Sequence, residues 1–428
     1  MMDIRTKFRE WSLDRVLARN VASLYGVQFA SYLLPLVTIP YLTRVLGPAT
    51  WGLLAFAQAF GAYASIGIEY GFNLSATRMV AKNRDSASEL ANLVAGVAGA
   101  KLLLAAGAVV IALALESWVP LFRANPVFLW AALFLAVAQS FSMLWYYQGF
   151  EGMRLVAVLD VAGKAAATVG IFTLVHHPED GWKVLALQAG GSLLSVIAAT
   201  VMVYREIPIK LPTWQLVRDT LRMGWSMFLF RSSMSLYGAG NAFILGLFAS
   251  PTAVGFYAGA ERLARALMGL LVPIHQSLYP RLGNLVQHNL PAAKRLARSS
   301  RFLMSSAGAV LSLAAFLGAP WAVPLILGRS FRPTVPVLEI MAALPLLDAI
   351  GTMFGVLWMV PLGLDRQFNR VVLAGGALNL VLAVVFAPRF AQLGMAAAVV
   401  ATEVFVVLAL YFTLRHMKMG PLAPAQIE

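Results

Sequence analysis

Cysteine is absent from the 428 residues, and charged side chains make up only 12% of them. The missing thiols exclude disulfide bridges and thiolate metal sites. The five histidines lack the short spacing of paired metal ligands, so we expect no metal site. No GxxxxGK[ST] loop is present, which argues against a P-loop nucleotide site.

Apolar sequence is abundant, with 60% hydrophobic residues and a mean hydropathy of +0.76. So few charges cannot cover a soluble surface of this size, and the composition indicates an integral membrane protein. At about 20 residues per span, we predict an all-α fold of about twelve transmembrane helices. They are placed at 20–43, 50–72, 90–115, 126–148, 155–176, 183–204, 222–248, 252–279, 302–327, 335–361, 370–387 and 393–414.

The net charge of +14 is unevenly distributed between the two predicted membrane faces. With the N-terminus in the cytoplasm, 22 of the 33 Lys and Arg fall on the cytoplasmic side, six on the opposite side and five inside helices. Basic residues are enriched in cytoplasmic segments of membrane proteins. Both termini are therefore expected in the cytoplasm, and the charge needs no nucleic-acid partner.

A short segment occurs twice, as PATWGLLAFAQ from Pro48 and as PTAVGFYAGAE from Pro251. The copies align without a gap, and Gly52 of the first copy aligns with Gly255 of the second. We interpret them as matching hairpins of two pseudo-symmetric six-helix lobes around a central cavity. The predicted division is an amphipathic segment at 1–19, an N-lobe at 20–204, a linker at 205–221, a C-lobe at 222–415 and a cytoplasmic tail at 416–428.

Several ionisable side chains fall inside predicted helices, where they normally face a cavity or each other. Asp160 and Lys164 are spaced to pair on one helix face, as are Glu261 and Arg265. For Asp160, pairing and a coupling-ion site both remain open. For Lys101, two positions remain open: the ammonium faces the interior, or the side chain extends towards the membrane surface.

The predicted eighth helix carries two arginines, Arg262 and Arg265, against one acid, Glu261. Arg231 adds a further base on the preceding helix. The guanidinium fork matches phosphate geometry. We therefore infer a basic, water-filled cavity that suits an anionic ligand.

The runs IPYLTRVLGPATWGLLAFAQAF at 39–60 and IEYGFNLSATR at 68–78 resemble the opening of the bacterial polysaccharide transporter family. These are the O-antigen and related lipid-linked oligosaccharide flippases of the multidrug/oligosaccharidyl-lipid/polysaccharide exporter superfamily. Length, helix number and repeat agree over the whole chain, whereas the specific motifs lie in the first 80 residues.

The resemblance implies a transporter of the bacterial inner membrane rather than an enzyme. Its substrate would be a polyprenyl-pyrophosphate-linked oligosaccharide, moved from the cytoplasmic to the outer leaflet by alternating access. Membrane lipid and the polysaccharide polymerase machinery are the implied partners.

The resemblance also implies roles for particular side chains, and no catalytic residue. The pyrophosphate contacts would be Arg44, Arg231, Arg262 and Arg265. The sugar contacts would be Gln28, Tyr32, Asn241 and Tyr257. Na⁺ or H⁺ would be the coupling ion, with no other cofactor, and the candidate acids are Asp160, Glu261, Asp348 and Glu403.

Two other functions remain open from the sequence. A cation-coupled multidrug exporter of the same superfamily would have a cavity dominated by carboxylates and aromatic rings. A polyprenyl-dependent membrane glycosyltransferase would need acidic residues in an early outer loop together with a sizeable outer domain. The early outer loops carry only Glu116, Glu179 and Asp180.

Overall fold

The computed structural model describes the backbone of residues 4–235, 240–417 and 419, and the side chains of 37–229, 240–417 and 419. Every regular element in these ranges is helical. The α-helices are α1 Ile4–Glu69, α2 Phe72–Lys82, α3 Ala87–Trp118, α4 Pro120–Ala124, α5 Pro126–Ser140, α6 Leu144–Gly149, α7 Met153–Leu174, α8 Gly181–Glu206, α9 Trp214–Ser235, α10 Asn241–Phe248, α11 Pro251–Gly269, α12 Val272–His288, α13 Leu290–Ile326, α14 Val335–Met341, α15 Leu344–Phe354 and α16 Asp365–His416.

Eight helical segments in the described part of the chain are long and apolar enough to cross a membrane. They are Val37–Lys82, Ala87–Trp118, Pro126–Gly149, Met153–Leu174, Pro178–Glu206, Leu290–Ile326, Arg329–Met359 and Asp365–His416. The predicted all-α membrane fold is thus confirmed. The count of twelve remains a prediction.

The longest helices contain sharp breaks that divide them. The backbone of α1 leaves helical geometry at Gly47, with φ 68° and ψ 174°. A positive φ is readily adopted by glycine because it has no Cβ. The 52-residue α16 breaks at Ala391, between the predicted spans 370–387 and 393–414. One helix therefore contains two predicted spans.

The chain forms two compact units. The first contains the described residues of Met1–Leu46 and Phe60–Ser232, and the second those of Gly47–Ala59 and Ser233–Glu428. Helix α9 begins at Trp214, inside the segment predicted to be a linker. The predicted lobe boundaries remain a prediction, because the compact units follow contacts within the chain and not the sequence repeat.

Helices of the first unit pack closely through glycines. Gly163 of α7 and Gly191 of α8 face each other so closely that a Cβ on either would overlap the backbone of the other. The start of α9 packs on α3, where Gly96 lies against Thr220. Close backbone approach is what glycine permits in helix contacts within membranes.

Lys101 lies buried inside the first unit, which favours the interior position over extension to the membrane surface. Its residue is 2% exposed, and its Nζ lies 6.0 Å from the centroid of the Phe141 ring. Glu69 is near enough for the two charges to attract each other. This attraction offsets part of the desolvation free energy, which explains how a buried position is tolerated.

The second unit is built from α10 to α16 together with residues 47–59. Helix α13 packs against α15, and α10 and α14 pack against α16. A single π-helical turn, Gly355–Met359, follows α15, and Gly355 lies against the ring of Phe368. Residues 47–59 lie beside α11, which brings the two copies of the repeat into contact.

Candidate functional site

The two copies of the repeat contact each other symmetrically within the second unit. A Cβ on Gly52 would overlap the carbonyl oxygen of Pro251, and a Cβ on Gly255 would overlap the carbonyl oxygen of Pro48. Each glycine therefore lies in close contact with the proline that begins the other copy. Both aligned glycines are needed for this distance between backbones.

Arg262 lies on α11 beside the first copy of the repeat. Its guanidinium carbon is 4.2 Å from the centroid of the fully buried Trp51 ring. Its Nη2 donates a hydrogen bond to Oε1 of Gln58. A cation over an indole face is attracted by the ring electrons. The two contacts orient the half-buried guanidinium.

The guanidinium of Arg262 forms no ion pair with a carboxylate among the described residues. Gln58 is neutral and accepts one of the five N–H bonds that a guanidinium offers. Glu261, the adjacent acid, forms its ion pair with Arg265 at 2.8 Å. Arg262 is therefore an oriented base that pairs directly with no described carboxylate, although the charge of the neighbouring Glu261 attracts it.

The ion pair of Glu261 and Arg265 confirms the pairing expected from their spacing. The Glu261 side chain is 16% exposed, whereas that of Arg265 is 54% exposed. The second expected pair, Asp160 and Lys164 on α7, is also present, with 2.6 Å between oxygen and nitrogen. Pairing alone does not assign these residues a transport role, which stays a prediction.

The remaining predicted phosphate contacts are Arg44 and Arg231. Arg44 is an exposed residue of α1 in the first unit. The side chain of Arg231 lies outside the described residues, as do those of Gln28 and Tyr32. Their assignment to the ligand therefore remains a prediction.

The two other predicted sugar contacts are enclosed in the second unit. Asn241 is 4% exposed and Tyr257 is fully buried. Asn241 Oδ1 accepts a hydrogen bond of 2.8 Å from Nδ2 of Asn379, and Thr402 lies 3.5 Å from Oδ1 of Asn379. This buried polar cluster links α10 to both parts of α16. Asn241, Asn379 and Thr402 bond to one another and are shielded from solvent in this conformation.

Two of the candidate coupling acids lie elsewhere in the second unit. Asp348 on α15 is half-buried and forms no ion pair with any described residue. Glu403 on α16 is half-buried beside Thr402 and has an interaction partner of its own. Asp348 therefore differs from the paired acids Asp160 and Glu261.

Sequence reasoning missed four residues of these clusters: Trp51, Gln58, Asn379 and Thr402. The alignment of the repeat contained one signal, because Gln58 occupies the position of Glu261 in the other copy. A polar residue that aligns with a charged residue of the site in the other copy is therefore a candidate for the same site. Asn379 and Thr402 are 138 and 161 residues from Asn241, and no local pattern joins them.

Comparison with known proteins places these features in a family. The family model described as "Polysaccharide biosynthesis protein" matches residues 17–286. The chain is 32% identical over 405 residues to a protein of Escherichia coli (strain K12) named "Putative O-antigen transporter", covering 94% of this chain and 98% of the relative. A protein of the same name from Shigella dysenteriae is 28% identical over 407 residues, covering 94% and 100%.

Two solved structures share the fold. The structure titled "Lipid II flippase MurJ, inward closed conformation" has a TM-score of 0.71 at 12% identity, covering 92% of this chain and 87% of that one. An inward-facing multidrug resistance MATE family transporter of the MOP superfamily has a TM-score of 0.67 at 15% identity, covering 92% and 96%. At these identities the similarity concerns the fold. Because the family model covers more than half of the chain and the relatives cover nearly all of it, this multi-pass membrane protein belongs to the polysaccharide biosynthesis protein family that the sequence motifs indicated.

Proposed function

We propose that the protein is a flippase for a polyprenyl-pyrophosphate-linked oligosaccharide, the repeat unit of an O-antigen, capsule or exopolysaccharide. It moves this lipid from the cytoplasmic to the outer leaflet of the bacterial inner membrane, with both of its own termini in the cytoplasm. The observation that carries the proposal is the oriented guanidinium of Arg262. The names of the two relatives support the same substrate class.

Arg262 suits a diphosphate for three physical reasons. Its guanidinium forms no ion pair with a described carboxylate, and its half-buried position strengthens electrostatic attraction to a ligand. Trp51 and Gln58 hold the planar group before a ligand arrives, so less side-chain entropy is lost on binding. The remaining N–H groups match two oxygens of a phosphate.

Alternating access is part of the proposal, and the sugar contacts depend on it. Asn241 and Tyr257 are buried in this conformation, so a sugar reaches them only if α10, α11 or α16 moves. Gln28 and Tyr32 are proposed to contribute from α1. Transport ends with delivery of the glycan to the polymerase machinery, without a chemical step on the transporter.

Coupling to a Na⁺ or H⁺ gradient completes the proposal. Asp160 and Glu261 each form an ion pair with a basic residue four positions away. Asp348 has no such partner among the described residues. We therefore favour Asp348 as the acid that exchanges a proton.

The experiment uses a strain in which the gene is deleted and replaced by plasmid-borne variants. Lipid-linked oligosaccharide is labelled metabolically, and its outward-facing fraction is measured in spheroplasts by cleavage with a membrane-impermeant glycosidase. The deletion strain should accumulate protected oligosaccharide, and the unaltered protein should restore cleavage. Arg262→Ala should fail to restore it at a normal protein level.

Arg389→Ala is the matched control, because Arg389 is an exposed arginine of α16 that bonds only to the carbonyl of Val385 among the described residues. This variant should restore cleavage fully. Loss of oligosaccharide synthesis in the deletion strain would favour a glycosyltransferase. Normal glycan display without the gene would favour a drug exporter.

A further inference from the structure

A groove of about 610 Å³ lies in the second unit where α12 ends and α13 begins. Its walls include Arg281, Asn284 and Leu285 from α12 and Arg295 and Leu296 from α13. Two guanidinium groups therefore line one concave surface, together with an amide and two apolar side chains.

The turn between the two helices is tightly bonded. Nδ1 of His288 lies 2.9 Å from the carbonyl oxygen of Asn284, at the end of α12. The side chain of Asn289 accepts a hydrogen bond of 3.0 Å from the backbone nitrogen of Ala292, which caps α13. The helices that carry Arg281 and Arg295 are thus held at a defined separation.

The positive charge of the groove is not compensated locally. No Asp or Glu occurs between Glu261 and Glu339. Neither Arg281 nor Arg295 forms an ion pair with any residue that the structure describes. An anion in the groove would therefore meet no competing carboxylate from these helices.

The position of the groove along α13 corresponds to the level of lipid headgroups. The 37 residues of α13 extend about 55 Å at 1.5 Å per residue, which exceeds the hydrocarbon thickness of about 30 Å. The apolar part begins at Phe302, which is 76% exposed, directly after the last base, Arg301. Arg295 precedes it by two turns and so lies outside the hydrocarbon region.

We propose that this groove binds the headgroup of an anionic glycerophospholipid of the surrounding membrane. The guanidinium groups of Arg281 and Arg295 contact the phosphodiester, whose oxygens match their paired N–H bonds. The amide of Asn284 donates to the glycerol oxygens, and Leu285 and Leu296 contact the first carbons of the acyl chains. This inference requires only that the chain spans a membrane and is independent of the transported substrate.

The test measures lipid binding to the full-length protein in a neutral detergent. Dioleoylphosphatidylglycerol, dioleoylphosphatidylcholine and inorganic phosphate are titrated separately, and the melting temperature is followed. Phosphatidylglycerol should raise the melting temperature of the unaltered protein, and the other two should not. Arg281→Gln/Arg295→Gln should weaken the apparent affinity for phosphatidylglycerol by about tenfold or more, since two charge-assisted contacts are lost.

The control, Lys294→Gln/Arg298→Gln, removes the same charge from α13 outside the groove. It should keep the affinity within about twofold, because neither Lys294 nor Arg298 lines the groove. An equal loss in the control would show that surface charge alone attracts the lipid, and would overturn the proposal. Stabilisation by phosphatidylcholine or by inorganic phosphate to the same extent would overturn it as well.

Single substitutions keep the proposal testable if the double variant does not fold. Arg281→Lys and Arg295→Lys preserve charge and lose the planar fork. Native mass spectrometry should show fewer retained phosphatidylglycerol molecules for each variant than for the unaltered protein. Equal retention in both would contradict the proposed contacts.

Discussion

Lys101 of the first unit and Arg262 of the second are both basic side chains withdrawn from water, yet their surroundings differ. The Lys101 residue is 2% exposed, and its ammonium faces the Phe141 ring at 6.0 Å. Arg262 is half-buried between an indole ring and a neutral amide. An enclosed ammonium has no access to a ligand, whereas an oriented and partly exposed guanidinium does. Burial of a base therefore indicates a binding role only when the group keeps an open side.

The largest effect should come from removing the guanidinium of Arg262. Arg262→Met keeps much of the apolar volume against Trp51 but removes the charge. We expect the rate of outward lipid movement to fall by about 100-fold, because roughly 3 kcal/mol of charge-assisted bonding is lost. Arg262→Lys should retain an intermediate rate. The spheroplast cleavage assay measures both, and an unchanged rate for Arg262→Met would contradict a binding role.

Lys101 should respond through stability rather than transport. Lys101→Met leaves Glu69 without the nearby charge, and we expect a loss of about 1–3 kcal/mol in unfolding free energy. Lys101→Met/Glu69→Gln should recover most of the loss, because the double variant removes both charges of the interacting pair. Denaturation in detergent measures the stability of each variant. If the double variant is less stable than the single one, the two charges do not stabilise each other.

The glycine contact between the repeats should give a similar or smaller effect. Gly52→Ala and Gly255→Ala each place a methyl group against a proline carbonyl, so we expect about 1–3 kcal/mol of destabilisation. Gly67→Ala is the control, since no atom lies within 4 Å of an added Cβ there. Melting temperatures of the three variants provide the comparison. A loss for Gly67→Ala equal to the others would remove the case for a specific contact.

The smallest effect should come from an ion pair outside the membrane-spanning segments. Arg84 Nη2 lies 2.7 Å from Glu151 Oε1, and the Glu151 side chain is 79% exposed. The Arg84 guanidinium holds the pKa of the Glu151 carboxyl below its ordinary value by hydrogen bonding and charge. A lowered pKa means that the stabilisation is present above the ordinary glutamate pKa of about 4.3 and is lost as the pH falls through the folded-state value.

Glu151→Gln should therefore lower the melting temperature only slightly at neutral pH, as is usual for exposed ion pairs. The difference from the unaltered protein should vanish in acid. A large difference at neutral pH, or one that grows in acid, would show that Glu151 acts through another interaction. Melting curves from pH 3 to pH 7 decide between these outcomes.

Local features of this protein could be predicted from the sequence. The apolar runs predicted the helices, and the four-residue spacing predicted the ion pairs of Asp160 with Lys164 and of Glu261 with Arg265. The motif at 39–60 indicated the family. Each of these depends on residues close together in the chain, where helix geometry determines which side chains meet.

Features that depend on contacts between residues far apart in the chain could not be predicted from the sequence. Gln58 and Arg262 are 204 residues apart, and the alignment of the repeat, which places Gln58 opposite Glu261, does not show that Gln58 and Arg262 bond. The burial of Lys101 depends on how α3 packs, which its apolar neighbours in sequence do not reveal. Composition places a helix in the membrane, but only packing decides which face a side chain occupies.

The break at Gly47 has a consequence for the folding of separated fragments. The chain passes from the first unit to the second at residue 47, returns at residue 60 and passes again after residue 232. A polypeptide cut in the segment 207–213 would give an N-terminal fragment that carries residues 47–59 of the second unit. The C-terminal fragment would carry α9, most of which belongs to the first unit. Each unit would then be complete only if the N-terminal fragment supplied residues 47–59 and the C-terminal fragment supplied α9. Coexpressed halves should therefore recover activity together, whereas neither half should form its own complete unit alone.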